Sequence, residues 1–154
     1  MLKTRHIQTA AMKYGIETEP QAAEFYAKLF GVNVHRCALL IHPQCFFLGC
    51  SPDRRVYVPD SAVPWGLVEI KCTTAASVAD CDYLKSDSTL QLKCSHAYYY
   101  QVIAQMGLSG SQWCDFFVFA RDDYHCKCIY LSNNCKLFNE MMQKVVRFFA
   151  FVLH

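Results

Sequence analysis

The 154-residue sequence has no membrane-length apolar run, no low-complexity linker, no internal repeat and almost no charge bias. Its most apolar stretch, Val145 to Leu153, is interrupted by Arg147 and falls well short of the ~20 residues that cross a bilayer. That excludes a helical membrane span there, and the stretch reads as a core helix. Its stripe of Phe138, Met141, Met142, Val145, Phe148, Phe149 and Val152 could equally meet another subunit. A net charge of +2 neither announces nor excludes a nucleic-acid partner, because what counts is where Lys and Arg gather on the surface.

Two further absences concern the ten cysteines. No apolar core follows Lys3 and Arg5, so a secretory leader is not indicated, and free thiols in an intracellular reducing compartment, cytoplasm or nucleus, are the expectation. No Cys-x-x-Cys pair exists either. The nearest cluster, His125, Cys126, Cys128 and Cys135, places Cys126 and Cys128 two apart as one face of a strand, which suits small buried apolar groups better than zinc ligands. No zinc is expected.

What is present is enough apolar material for one core. Hydrophobic residues make up 53% of the chain and charged residues 18%, a folded composition, and the length suits one domain over residues 1–154. Thr18, Glu19 and Pro20 resemble a helix start and Gly31 a stop, with Ala22, Phe25, Tyr26 and Leu29 on one face between them. Residues 32–41, 45–58 and 66–72 then read as three consecutive strands.

A second helix is expected from about His96 to Leu108, ended by the Ser109-Gly110-Ser111 turn. Strands follow at 113–120 and 127–131, while 73–94 reads as polar loops around a short helix near residues 76–84. This order predicts a mixed α/β fold, a central mixed sheet flanked by helices, without strict strand–helix alternation.

The most informative segment is Leu67-Val68-Glu69-Ile70-Lys71-Cys72. Strand alternation sends Leu67, Glu69 and Lys71 to one face and Val68, Ile70 and Cys72 to the other. A carboxylate and an ammonium two apart can hold a hard cation beside a positive charge, as phosphodiester cleavage requires, and the backbone carbonyl of Ile70 could add a ligand. On its own such a pair is more often a solvated strand face. A partner comes from Gly49-Cys50-Ser51-Pro52-Asp53, which leads through the turn-rich stretch 59–64 into the Glu69 strand. An antiparallel hairpin would set Asp53 beside Glu69.

Ser51-Pro52-Asp53 followed by Glu69-Ile70-Lys71-Cys72 resembles the core of the PD-(D/E)xK nucleases, specifically their YqaJ-like viral recombinase branch, the lambda exonuclease family. Tyr14-Gly15-Ile16-Glu17-Thr18-Glu19-Pro20 resembles that branch's helical glutamate motif. Tyr98-Tyr99-Tyr100-Gln101-Val102-Ile103 resembles its glutamine helix, and Trp113-Cys114-Asp115-Phe116 its following strand. Four motifs in the right order are far more specific than any one.

The resemblance implies a restriction-endonuclease-like fold and a deoxyribonuclease acting on duplex DNA, exonucleolytic and of recombination or repair type. It implies Mg²⁺, with Mn²⁺ as a substitute, and leaves room for a homo-oligomer and a single-strand annealing partner. Asp53 and Glu69 would bind metal with the Ile70 carbonyl, and Lys71 would be the catalytic lysine. Glu19 would be a further acid near the metal, and Gln101 would position water or phosphate. Lys71 could stabilise developing charge or act as base.

Gln105, one helical turn from Gln101, could also approach, and Gln101 is preferred. His96 and Tyr98 are further candidates for phosphate contact. Arg54, Arg55, Lys85, Lys93 and Arg121 flank the motifs and could line a DNA groove. Two positions depart from the family: Arg54 stands where Gly is usual and Thr73 where Pro is usual. Longer members begin with another helical segment whose arginine recognises a 5′ phosphate, and the expectation here is a nuclease core without it. A structure-selective endonuclease, or a noncatalytic DNA-binding or assembly module on the same fold, are the alternatives.

Overall fold

The first helix, α1 (Ala10–Phe30), starts where the Thr9 hydroxyl accepts the Met12 N–H, and stops where Gly31 takes φ 64°, a left-handed conformation that glycine adopts without penalty. The structure is a computed structural model that describes residues 9–87 and 89–152. Lys3 and Arg5 therefore lie outside the described residues, as does Leu153.

The start near Thr18 expected from sequence is corrected: the helix begins two turns earlier and runs through Pro20. Proline at the first helical position and proline mid-helix leave the same local signature. Here Pro20 is exposed and gives up only the bond its N–H would have made to Ile16, while Ala22, Ala23 and Tyr26 pack the following turns onto the sheet.

The sheet has five strands: β1 (Asn33–Arg36), β4 (Arg54–Tyr57), β5 (Trp65–Cys72), β8 (Trp113–Phe119) and β9 (Tyr124–Tyr130), in the spatial order β1-β4-β5-β8-β9. All neighbours are antiparallel except β5 and β8, which run parallel from Leu67 opposite Cys114 to Cys72 opposite Phe119. A parallel pair needs a crossover. Here it contains a three-residue 3-10 turn (Val78–Asp80), the hairpin of β6 (Leu84–Asp87) and β7 (Thr89–Leu92), and the helix α2 (Ala97–Ser109).

The expected short helix near 76–84 is thus a 3-10 turn followed by a strand. The expected strands at 32–41 and 45–58 each divide, because β2 (Leu40–Ile41) and β3 (Gly49–Cys50) pair with each other, apart from the main sheet. Continuous apolar character in sequence does not mark where the chain changes partners.

Each face of the sheet carries its own core. On one face α2 covers Leu67, Cys114, Phe116 and Val118 through Val102, Ile103 and Met106. On the other α1 covers Val56, Val68, Ile70 and Phe117 through Ala22, Ala23 and Tyr26. β5 alternates between these cores, which is the pattern of a strand buried on both sides. The last helix, α3 (Cys135–Val152), lies outside α2. A Cβ on Gly107 would come within 2.2 Å of the Phe138 ring, so only glycine lets the two helices approach this closely. α3 corrects the core-helix expectation for the carboxyl-terminal stretch: it buries no residue fully, and Phe148, Phe151 and Val152 are exposed.

Candidate active site

β5 extends past the end of β4, and the site is built on this difference in length. The last β4–β5 pair is Arg54 with Val68, so two residues further on the Ile70 N–H faces a gap in the ladder. Buried Pro52 ends the strand approach, and Asp53 fills the gap with its side chain, Oδ2 accepting the Ile70 N–H at 2.7 Å. In a strand the N–H and C=O of one residue point the same way, so the Ile70 carbonyl also faces Asp53.

Glu69 points to the α2 face and is 1% exposed. A buried carboxylate demands donors, and three side chains supply them. Its Oε1 accepts from Lys71 Nζ at 2.6 Å and Gln101 Nε2 at 2.7 Å, and its Oε2 accepts from Gln105 Nε2 at 2.9 Å. The ammonium of Lys71 also sits 4.4 Å from the centre of the Tyr98 ring, a cation–π contact. His96 caps α2, its Nδ1 accepting the Tyr98 N–H.

Glu19 arrives from α1, where its Oε1 accepts from Arg54 Nη1 at 2.7 Å, and the same Nη1 donates to the Asp53 carbonyl. A cleft of ≈ 370 Å³ opens between the amino-terminal half of α1 and the end of β5, lined among others by Gly15, Glu19, Asp53, Ile70, Lys71 and Tyr98.

The cleft carries surplus negative potential. Burial, and then the charge of Glu69, push the Asp53 carboxyl up to about 7. The Ile70 N–H pulls it down, Glu19 raises it further, and Lys71 opposes that rise. Cys72 senses the same field: burial and then the charges of Glu19 and Asp53 raise its thiol to about 12. Three acids gathered beside an open cleft, only two of them ion-paired among the described residues, are a setting in which a cation would be stabilised.

Among the described residues, no three His, Cys, Asp or Glu side chains gather closely enough to hold a metal by themselves. The oxygen donors that could do so are the carboxylates of Asp53 and Glu69 with the Ile70 carbonyl, and Glu19 at the rim. One or two carboxylates completed by water is the usual set for Mg²⁺, and all-oxygen donors suit it better than zinc. The donor chemistry therefore fits.

The five flanking cations are not gathered into one groove. Arg54 is buried on Glu19, so its guanidinium serves the site from within. Arg55 lies exposed on the sheet, its guanidinium 4.7 Å from the centre of the Trp65 ring. Lys93 Nζ donates to the Asp82 carbonyl, Arg121 pairs with Asp122, and Lys85 is exposed.

Two site residues carried weak signals in sequence. Gln105 was findable from its spacing to Gln101 but is indistinguishable there from a solvated helix residue. Arg54 was visible as a departure from a family glycine and as a candidate DNA-groove cation, not as a partner of Glu19. The cysteines Cys126 and Cys128 face the α1 core near Asp115, and all ten cysteines are free thiols.

With a mixed sheet whose inner strand carries Glu69 and Lys71 beside the Asp53 that precedes β4, the fold is that of a nuclease. The chain belongs to the family of the YqaJ-like viral recombinase domain, which residues 1–112 match. Among solved structures it is similar to an alkaline exonuclease, LHK-Exo, from Laribacter hongkongensis, at 26% identity and a TM-score of 0.61, covering 94% of this chain and 76% of that one. The same exonuclease in complex with dAMP matches at 25% identity and a TM-score of 0.59, covering 96% and 77%. No curated protein matches the chain. Among the described residues no helix is long and apolar enough to cross a membrane.

Proposed function

We propose that this chain is a Mg²⁺-dependent deoxyribonuclease that hydrolyses phosphodiester bonds of duplex DNA from an end, in recombination or repair. The observation that carries the reading is the junction of Asp53, Glu69 and Lys71 where β5 outruns β4. Family membership supports it, and the relative crystallised with dAMP, a mononucleotide of the kind an exonuclease releases, supports action from an end.

Asp53, Glu69 and the Ile70 carbonyl would hold the cation, with Glu19 at the edge; Mn²⁺ would substitute. When bound, the cation neutralises charge on the scissile phosphate and favours loss of a proton from water. Hydrolysis adds that water across one P–O bond, and the leaving oxygen takes up a proton. Lys71, ion-paired to Glu69 and resting on Tyr98, would stabilise negative charge as it develops in the transition state. Gln101, anchored on Glu69, orients water or phosphate. Arg54 fixes Glu19 and the Asp53 backbone, so the family's glycine is replaced by an internal strut.

The mode is tested with closed circular, nicked circular and linear duplex DNA in Mg²⁺. Degradation confined to the linear form is expected. Cleavage of the nicked circle would move the reading to a structure-selective endonuclease, and cleavage of the closed circle would remove any need for an end. Retention of DNA without cleavage of any form would move it to a noncatalytic module.

A further inference from the structure

Gln105 is 4% exposed in the centre of α2, inside the core face, yet its amide is only half used. Nε2 donates to Glu69 Oε2 at 2.9 Å, while Oε1 is buried with no hydrogen-bond partner. A buried amide carbonyl without a partner is destabilising, and an apolar side chain of the same volume would remove that penalty. Glutamine at such a position is therefore explained by the acid it serves rather than by packing alone. What the residue does provide, among the described residues, is the donor on the Glu69 oxygen that neither Lys71 nor Gln101 reaches.

The backbone around it is set for this contact. The Cys50 thiol of β3 donates to the Gln105 carbonyl at 3.8 Å, tying that turn of α2 to the small hairpin. Ile103 and Met106 on either side are fully buried, so the Gln105 amide cannot swing away. Gln101 and Gln105 stand one helical turn apart and grip the two oxygens of one carboxylate from the same helix.

We infer that Gln105 is a positioning residue of the active site, an amide that fixes the rotation of the Glu69 carboxylate and so presents it to the cation. The inference rests on the nuclease reading and adds to it a second glutamine with a role distinct from that of Gln101. Gln105 does not touch substrate. It acts through Glu69, so its loss should weaken cation binding and turnover while leaving DNA affinity intact.

The test compares wild type with Gln105→Met, which keeps the volume and removes both the donor and the orphaned carbonyl, and with Gln105→Glu, which keeps the shape and removes the donor. Three quantities are read: melting temperature of the metal-free protein, Mn²⁺ affinity by calorimetry, and steady-state cleavage of linear duplex. For Gln105→Met the melting temperature should stay close to that of wild type, because losing the bond to Glu69 offsets losing the orphaned carbonyl, while Mn²⁺ affinity should fall roughly 3- to 10-fold and kcat about 10-fold with KM within about twofold. Gln105→Glu should lose at least as much kcat.

A folded Gln105→Met protein with wild-type kcat and Mn²⁺ affinity overturns the inference. So does an activity loss with a lowered melting temperature and wild-type Mn²⁺ affinity, which marks a packing role. Wild-type protein and Asp53→Asn run alongside separate the two claims: cleavage by the first and not the second keeps the nuclease reading whatever Gln105 does.

Discussion

The two faces of the sheet each place a carboxylate against a helix, and the two carboxylates live differently. On the α1 face Asp115 of β8 accepts the Tyr26 hydroxyl at 2.6 Å, with the thiols of Cys126 and Cys128 beside it. On the α2 face Glu69 of β5 is gripped by three donors and stands against the charge of Asp53, which itself lines an open cleft. Asp115 is satisfied by a neutral partner and ties a helix to a strand. Glu69 has its charge held in place beside a second charge, an arrangement that opposes folding unless something else gains from it. Deeper burial together with a second carboxylate nearby sets Glu69 apart from the half-buried Asp115.

The contrast breaks most readily at the site itself. Lys71→Ala and Asp53→Asn should each reduce cleavage of linear duplex at least about 10³-fold, followed by release of labelled nucleotide. Comparable activity in either variant would remove the distinction between the two carboxylates. On the α1 face Tyr26→Phe removes the hydroxyl that Asp115 accepts. It should lower stability by about 1–2 kcal/mol in urea denaturation while leaving cleavage within about twofold of wild type.

A pH series sharpens the same contrast. In the metal-free protein Asp53 is raised from 3.8 to about 7, so between those values the folded state holds a proton that the unfolded chain has lost. The stability associated with this group is greatest below 3.8 and is lost as pH rises through about 7. The melting temperature in chelator should therefore decline from pH 5 to pH 8 more steeply for wild type than for Asp53→Asn, and parallel slopes would contradict the assigned crowding. The smallest effect belongs to Cys126→Ser. With a hydroxyl still available to Asp115, stability should change by less than about 1 kcal/mol, and activity not at all.

Much of the site was legible in sequence because it follows from period two. Glu69 and Lys71 share the α2 face while Val68 and Ile70 enter the α1 core, as strand alternation required. Asp53 followed from the hairpin, although the reason it reaches the site, a missing ladder partner at Ile70, needs the strand lengths. The helix α1 was misjudged at its start because Pro20 carries the same signal at an end and in an interior. The β2–β3 and β6–β7 hairpins were missed because pairing between short segments is decided by tertiary partners. Gln105 and Arg54 were unresolved for a related reason: a polar residue on a helix or strand does not announce which acid it will meet.

The central claim is that the acids and lysine at the end of β5 hydrolyse DNA with a divalent cation. The most direct measurement is single-turnover digestion of an end-labelled linear duplex by wild type and Asp53→Asn, each in Mg²⁺ and in chelator, with DNA binding measured on the same samples. The account predicts mononucleotide release by wild type in Mg²⁺ alone, and none by Asp53→Asn although it still binds DNA. Equal release by both proteins, or intact DNA bound to wild type in Mg²⁺, would contradict it.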